Sequence, residues 1–149
     1  MLLLLFWVGN DRFSLDTRQV IEVVPLVRLK NVPHTPEYVA GLFNYRGTIV
    51  PVIDLTSLLT GTLSKQQVST RIILVPYIDS EKSSQTLGLM AERVTDTISC
   101  SEDDLHAPGI ESENAEFLDR ILFDNDGMIQ LINLKKILPD TLKEVLFTG

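Results

Sequence analysis

The chain has 149 residues, 44% of them hydrophobic, a single cysteine and a formal net charge of −7. That length and apolar content suffice for one domain, or for two small barrels sharing a core. The lone Cys100 excludes an internal disulfide framework, and the acidic balance argues against a protein that holds a nucleic-acid backbone by counterion release.

Met1 to Val8 is apolar throughout, lacks a basic leading segment, is too short to cross a bilayer and runs straight into Gly9-Asn10-Asp11-Arg12. It reads as a buried first strand followed by a turn, so neither a cleaved signal nor direct membrane insertion is expected. Arg12 to Leu15 reads as a second strand, Asp16 to Ile21 as a short helical piece and Val23 to Leu29 as a third strand; Pro36 to Val39 also fits a short helical piece. Glu22, following Val20 and Ile21, fits either the solvated face of a short helix or an interface.

Val39 to Leu55 is the most informative stretch. Ala40 to Tyr45 and Thr48 to Asp54 are strand-like, and the Asn44-Tyr45-Arg46-Gly47 tetrapeptide supplies a hairpin turn in which Gly47 is free to take φ > 0. Asn44 can hold that turn through its side chain. Pro51 lacks a backbone donor and so belongs on an edge or at a bulge. Asp54 stands where the strand ends and a helical piece, Leu55 to Leu59, begins, so its carboxylate can cap the free N–H of Thr56 or Ser57. Arg46, at the hairpin tip, either faces water or meets a partner.

Residues 61–70 and Asp79 to Gln85 are polar connections. Strands follow at Arg71 to Tyr77, Thr86 to Val94, Thr95 to Cys100, Leu118 to Phe123 and Met128 to Asn133, with Asp124-Asn125-Asp126-Gly127 as a hairpin turn. Leu134 to Leu138 and Thr141 to Phe147 fit short helices. The charge is uneven, with 7 Lys/Arg against 5 Asp/Glu over residues 1–75 and 6 against 15 over residues 76–149. Much of the acid falls in Ser101 to Glu116, which reads as a long, solvated loop. Ten short strands make an all-β chain; curling into small barrels would close their edges, although periodicity alone also allows a sandwich.

Catalytic chemistry is hard to find. His34 and His106 lie in Pro-containing loops with no carboxylate or cysteine at metal-ligand spacing, so no metal is expected. There is no nucleophile elbow, P-loop or Gly-rich nucleotide loop, and the Asp124 to Gly127 turn lacks the alternating acids and final glutamate of a calcium loop. Asp103 and Asp104, adjacent on a loop, have no fixed geometry for acid–base work. No cofactor and no enzymatic activity are expected, and the net charge disfavours a nucleic-acid-binding barrel.

The Asn44-Tyr45-Arg46-Gly47 run, with Pro51 and Asp54-Leu55 at their spacing, resembles the signature of CheW-like adaptor domains and departs from it at Tyr45, where the family has Leu. Phe13 to Asp16, Val20 to Val23, Thr35 to Gly41, Gly88 to Val94 and Met128 to Leu138 resemble further family elements, with Ala91 and Glu92 in place of Val and Asp. The resemblance implies two five-stranded SH3-like barrels sharing a hydrophobic core, within a single domain whose barrels divide near residues 61–70, with strand exchange allowed. It implies a non-catalytic scaffold in two-component signalling. Such a scaffold couples the cytoplasmic helical hairpin of a chemoreceptor to the regulatory domain of a histidine kinase, and works in the cytoplasm at receptor arrays. The alternative is an adaptor specialised for type IV pilus motility or another kinase output. Val20, Glu22, Gly41 and Arg46 would then share a protein-binding surface on the first barrel, with Asn44, Gly47, Pro51 and Asp54 as structural members of the signature. If there is a kinase-facing patch, it would fall on the first barrel near Leu26 to Leu29, where an ordinary buried strand is the alternative reading. The near-empty flanks fit a standalone adaptor, although a fragment of a kinase's own regulatory domain has the same pattern.

Overall fold

A run of seven apolar residues such as Leu2 to Val8 can be buried as a strand only if both of its faces are covered. The fold, a computed structural model describing residues 1–78, 84–107 and 118–137, provides that cover. The strands are β1 (Leu2–Val8), β2 (Asp11–Asp16), β3 (Glu22–Pro25), β4 (Val39–Tyr45), β5 (Thr48–Asp54), β6 (Arg71–Ile78), β7 (Ser84–Ala91), β8 (Arg93–Ser99), β9 (Leu118–Asp124) and β10 (Gly127–Ile132). One α-helix, α1 (Leu55–Thr60), follows β5, and single 3-10 turns occupy Thr17–Gln19, Glu102–Asp104 and Leu134–Lys136. The strands form two five-stranded sheets, ordered β8-β1-β2-β10-β9 and β3-β6-β7-β5-β4, each curled into an SH3-like barrel.

Side chains alternate between two cores. Along β1, Leu3 and Leu5 enter the first barrel with Leu122, Ile129 and Leu131, whereas Leu4, Phe6 and Val8 face the second barrel. Along β6, Ile72 and Leu74 fill the second barrel with Val50, Val52 and Met90, whereas Ile73 and Val75 face the first. The faces that meet form one shared core, in which Phe6, Phe13, Leu15 and Ile132 pack with Ile53, Ile73, Leu87 and Leu89. The unbroken apolar runs in β1 and β6 follow from this burial on both faces.

The division between barrels does not fall at residues 61–70. The first barrel is built from β1, β2 and β8 to β10, and the second, β3 to β7, is inserted between its parts. The chain enters the second sheet after the Thr17–Gln19 turn, where the Ile21 N–H donates to the Leu74 carbonyl at 2.7 Å, and leaves it at Glu92, between β7 and β8. Residues 61–70 join α1 to β6 inside the second barrel. Their polarity marks a surface loop, and that loop is pinned: Ser64 N–H donates to Asp54 Oδ2 at 3.0 Å and Lys65 N–H to Glu92 Oε1 at 3.1 Å.

Three local expectations are corrected. The third strand stops at Pro25, which pairs with Arg71, because β6 begins there and offers no partner to Leu26 through Leu29. Residues 36–39 form a turn rather than a helix, just after His34 at φ 62°. Pro51 lies on an interior strand, between β4 and β7. Leu42, opposite Pro51, exchanges both of its backbone hydrogen bonds with Lys30, so the proline nitrogen faces β7, one residue before that ladder starts at Val52. The helix expected at residues 141–147 lies outside the described residues, as do most of the polar connection at residues 79–85 and the end of the loop at residues 101–116.

Candidate functional site

The β4–β5 hairpin has a two-residue turn. Tyr45 pairs with Thr48, and both Arg46 (φ 50°) and Gly47 (φ 88°) take positive φ, the geometry that matches the twist of the flanking strands. Left-handed backbone is easy for Gly47 and unfavourable for Arg46. Asn44 offsets part of that cost, its Oδ1 accepting from the Gly47 N–H at 2.8 Å. The result projects the Arg46 side chain into solvent, where it is 76% exposed.

Glu22 reaches this hairpin from the start of β3. The Tyr45 hydroxyl donates to Glu22 Oε2, and Arg46 Nη2 stands 3.6 Å from the same oxygen. The Arg46 guanidinium also lies over the Tyr45 ring, 5.1 Å from its centroid, an ordinary cation–π distance. Phe43 meets the Tyr45 ring edge-on, with centroids 6.4 Å apart. Tyr45 thus links the acid and the base. The sequence marked it only as a departure from the signature; a phenol within two residues of Asn44 and Arg46 was the available signal.

The four expected contact residues do not share a surface. Glu22 and Arg46 come together, on the second barrel rather than the first. Gly41 is buried at φ 145°, and a Cβ there would stand 2.6 Å from the Lys30 carbonyl oxygen, so its role is to let residues 29–30 pass. Val20 ends the Thr17–Gln19 turn and packs, half-buried, against the shared core. Asp54 works from inside: 3% exposed, it caps α1 by accepting from Ser57 N–H at 3.2 Å while its other oxygen holds Ser64.

Below the hairpin lies a groove of about 530 Å³ whose walls include Val24, Val27, Arg28, Lys30, Phe43 and Arg46. Its floor is apolar and its charged wall residues are cations. Sequence reasoning did not single out Arg28 or Lys30, because the bend that brings them to β4 has no local signature. Elsewhere, His106 exchanges two backbone hydrogen bonds with Ile121 at 2.8 Å and tilts against Phe123. No three His, Cys, Asp or Glu side chains meet in a metal-binding group among the described residues, and no helix among them is long and apolar enough to cross a membrane.

Two barrels on one shared core, carrying an acid–base pair at an exposed hairpin, define a double SH3-like barrel protein. Residues 2–142 match the CheW-like domain, and the chain belongs to that family, whose members act as chemotaxis adaptors. It is 28% identical over 134 residues to chemotaxis protein CheW of Helicobacter pylori, covering 89% of this chain and 78% of that protein. Over 144 residues it is 28% identical to chemotaxis protein CheW of Rhizobium meliloti, covering 95% and 90%. The crystal structure of the scaffolding protein TtCheW from Thermoanaerobacter tengcongensis superposes with a TM-score of 0.82 at 29% identity, covering 93% of this chain and 87% of that one.

Proposed function

We propose that this chain is a non-catalytic scaffold that couples the cytoplasmic helical hairpin of a chemoreceptor to the regulatory domain of a chemotaxis-type histidine kinase. The observation that carries the reading is the Glu22–Tyr45–Arg46 cluster, set in a fold shared with a scaffolding protein. Its guanidinium is charged and largely exposed, and among the described residues it is held by one loose ion pair and the Tyr45 ring, which leaves donors for a partner's carboxylate or backbone carbonyls. The shared core makes the two barrels a stiff body on which two partners can be held at once. Signal transfer is then a small repacking of interfaces rather than a reaction. The scaffold works in the cytoplasm and reaches the membrane through its partners.

Calorimetric titration with the kinase regulatory domain and with a receptor hairpin from the same source, for the parent chain and Arg46→Glu, tests this. Saturable binding of both partners by the parent, with one of them weakened by Arg46→Glu, supports the coupling role; binding of neither removes it. A second reading, an adaptor for type IV pilus motility or another kinase output, is favoured by Tyr45 replacing the family's Leu inside the cluster. Loss of surface motility with intact swimming, on deletion, would select it.

A further inference from the structure

β4 is the outer strand of the second sheet, and its free edge is only partly covered. Lys30 pairs with Leu42 through two hydrogen bonds, Lys30 N–H to the Leu42 carbonyl at 2.8 Å and Leu42 N–H to the Lys30 carbonyl at 2.9 Å. Continuing that antiparallel register would set Arg28 opposite Asn44. No such pair forms among the described residues: the chain diverges and the groove described above occupies the gap. Backbone groups alternate along a strand, so the N–H and C=O of Asn44 point the same way as those of Leu42, outward into the groove. Arg28 and Lys30 line one wall, Arg46 the hairpin end and Val24, Val27 and Phe43 the apolar remainder. Glu22, the acid beside Arg46, is engaged by the Tyr45 hydroxyl.

We propose that this groove receives an extended, acidic segment of a partner protein, which adds to the β4 edge at Asn44. The segment's backbone completes the interrupted ladder. Its carboxylates meet Arg28, Lys30 and Arg46, and its alternate apolar side chains cover Val24, Val27 and Phe43. The charge argues for an acidic occupant: a chain of net charge −7 lines this groove with three cations and no carboxylate. The inference extends the adaptor reading by giving the chemistry of one partner contact, and rests on it only in taking that partner to be a protein.

The test uses the full chain, isotope-labelled for amide resonances, and three blocked peptides: one alternating glutamate with valine, one alternating lysine with valine, and the glutamate peptide with its glutamate amides N-methylated, since the residues that bond Asn44 share its face and the valines that cover Phe43 turn their N–H groups away from β4. The expected result is saturable shifts at Lys30, Asn44 and Tyr45 with the first peptide, slowed hydrogen exchange at the Asn44 amide, and no binding of the second. Binding is weakened about tenfold by N-methylation, and by about the same factor in Arg28→Glu/Lys30→Glu, as loss of a few charged or backbone contacts implies. Arg28→Gln/Lys30→Gln serves if the reversed-charge variant fails to fold. Absence of saturable shifts at those residues, or equal binding of the N-methylated peptide, overturns the inference. Failure of the peptide while the kinase domain still binds removes the groove and leaves the adaptor reading standing; the converse removes the adaptor reading and leaves the groove.

Discussion

The Tyr45 hydroxyl donates to Oε2 of Glu22, so the residue next to Arg46 in the hairpin links that base to the acid at the start of β3. The contact is part-buried and joins β3 to the β4–β5 hairpin across the mouth of the second barrel. Tyr45→Phe removes the donor but keeps the ring under Arg46. Stability should fall by about 1 kcal/mol, the usual net value of one hydrogen bond, in urea unfolding. The freed Glu22 carboxylate should then close on Arg46, and binding of any partner that uses Arg46 should weaken. Unchanged partner affinity would show that Tyr45 acts in folding alone.

Gly41→Ala should be among the most damaging single-methyl changes in the chain. The new Cβ would meet the Lys30 carbonyl oxygen at 2.6 Å and the Leu29 Cβ at 2.9 Å, and φ 145° is unfavourable for any L side chain. Because the first obstacle is backbone, relief requires residues 29–30 to move off β4. A loss of about 2–4 kcal/mol is expected from the combined overpacking and backbone strain. Faster hydrogen exchange at the Leu42 and Lys30 amides, which bond each other's carbonyls, would locate the damage.

What the sequence revealed and what it hid divide along local and non-local lines. The hairpin at Arg46-Gly47 was legible because turn chemistry is local, and so were β1 and β6, whose apolar runs need burial on both faces. The insertion of one barrel between the parts of the other was not, since it rests on two pairings, β1 with β8 and β2 with β10, between residues far apart in the chain. The early end of β3 at Pro25 depends on where β6 begins, 46 residues away. Gly41 and Val20 were read as contact residues because their types and positions matched a pattern. Only the packing reveals that one makes room for a neighbouring backbone and the other lies against the core.

Acid stability should carry the mark of the Arg12–Asp124 pair. Arg12 donates Nη1 to Asp124 Oδ2 at 2.7 Å and Nη2 to Oδ1 at 2.5 Å, tying β2 to the β9–β10 turn, while Asp126 N–H also donates to Asp124 at 2.9 Å. The Arg12 hydrogen bonds, with help from these backbone donors, hold the Asp124 carboxyl at about 2. A carboxyl lowered on folding stabilises the fold fully above its unfolded value, near 4, and that contribution is lost as the pH falls towards 2. The pair is partly exposed, so solvent screening limits it to about 0.2–1 kcal/mol. Unfolding of Asp124→Asn followed from neutral pH to about pH 2 should differ from the parent at the neutral end and converge with it at the acid end.

The shared core makes a sharper prediction, that the two barrels unfold as one unit. Phe6 is fully buried, stacks with Phe13 at 6.4 Å and packs in the cluster that contains Ile53, Ile73 and Leu89 of the second barrel. Phe6→Ala should cost about 3–5 kcal/mol, the range for deleting a buried aromatic side chain. Trp7, the sole tryptophan, reports on the first barrel by fluorescence, and amide exchange at Ile72 and Leu74 reports on the interior of the second. If stability resides in the shared core, both signals should shift by the same free energy in Phe6→Ala, because neither barrel retains its inner face without the other. A shift of the tryptophan signal alone would mean that the second barrel stands independently. Leu5→Ala, which removes a side chain from the first barrel's own interior, should likewise shift both signals together if the two barrels are one unfolding unit, and the tryptophan signal alone if they are not.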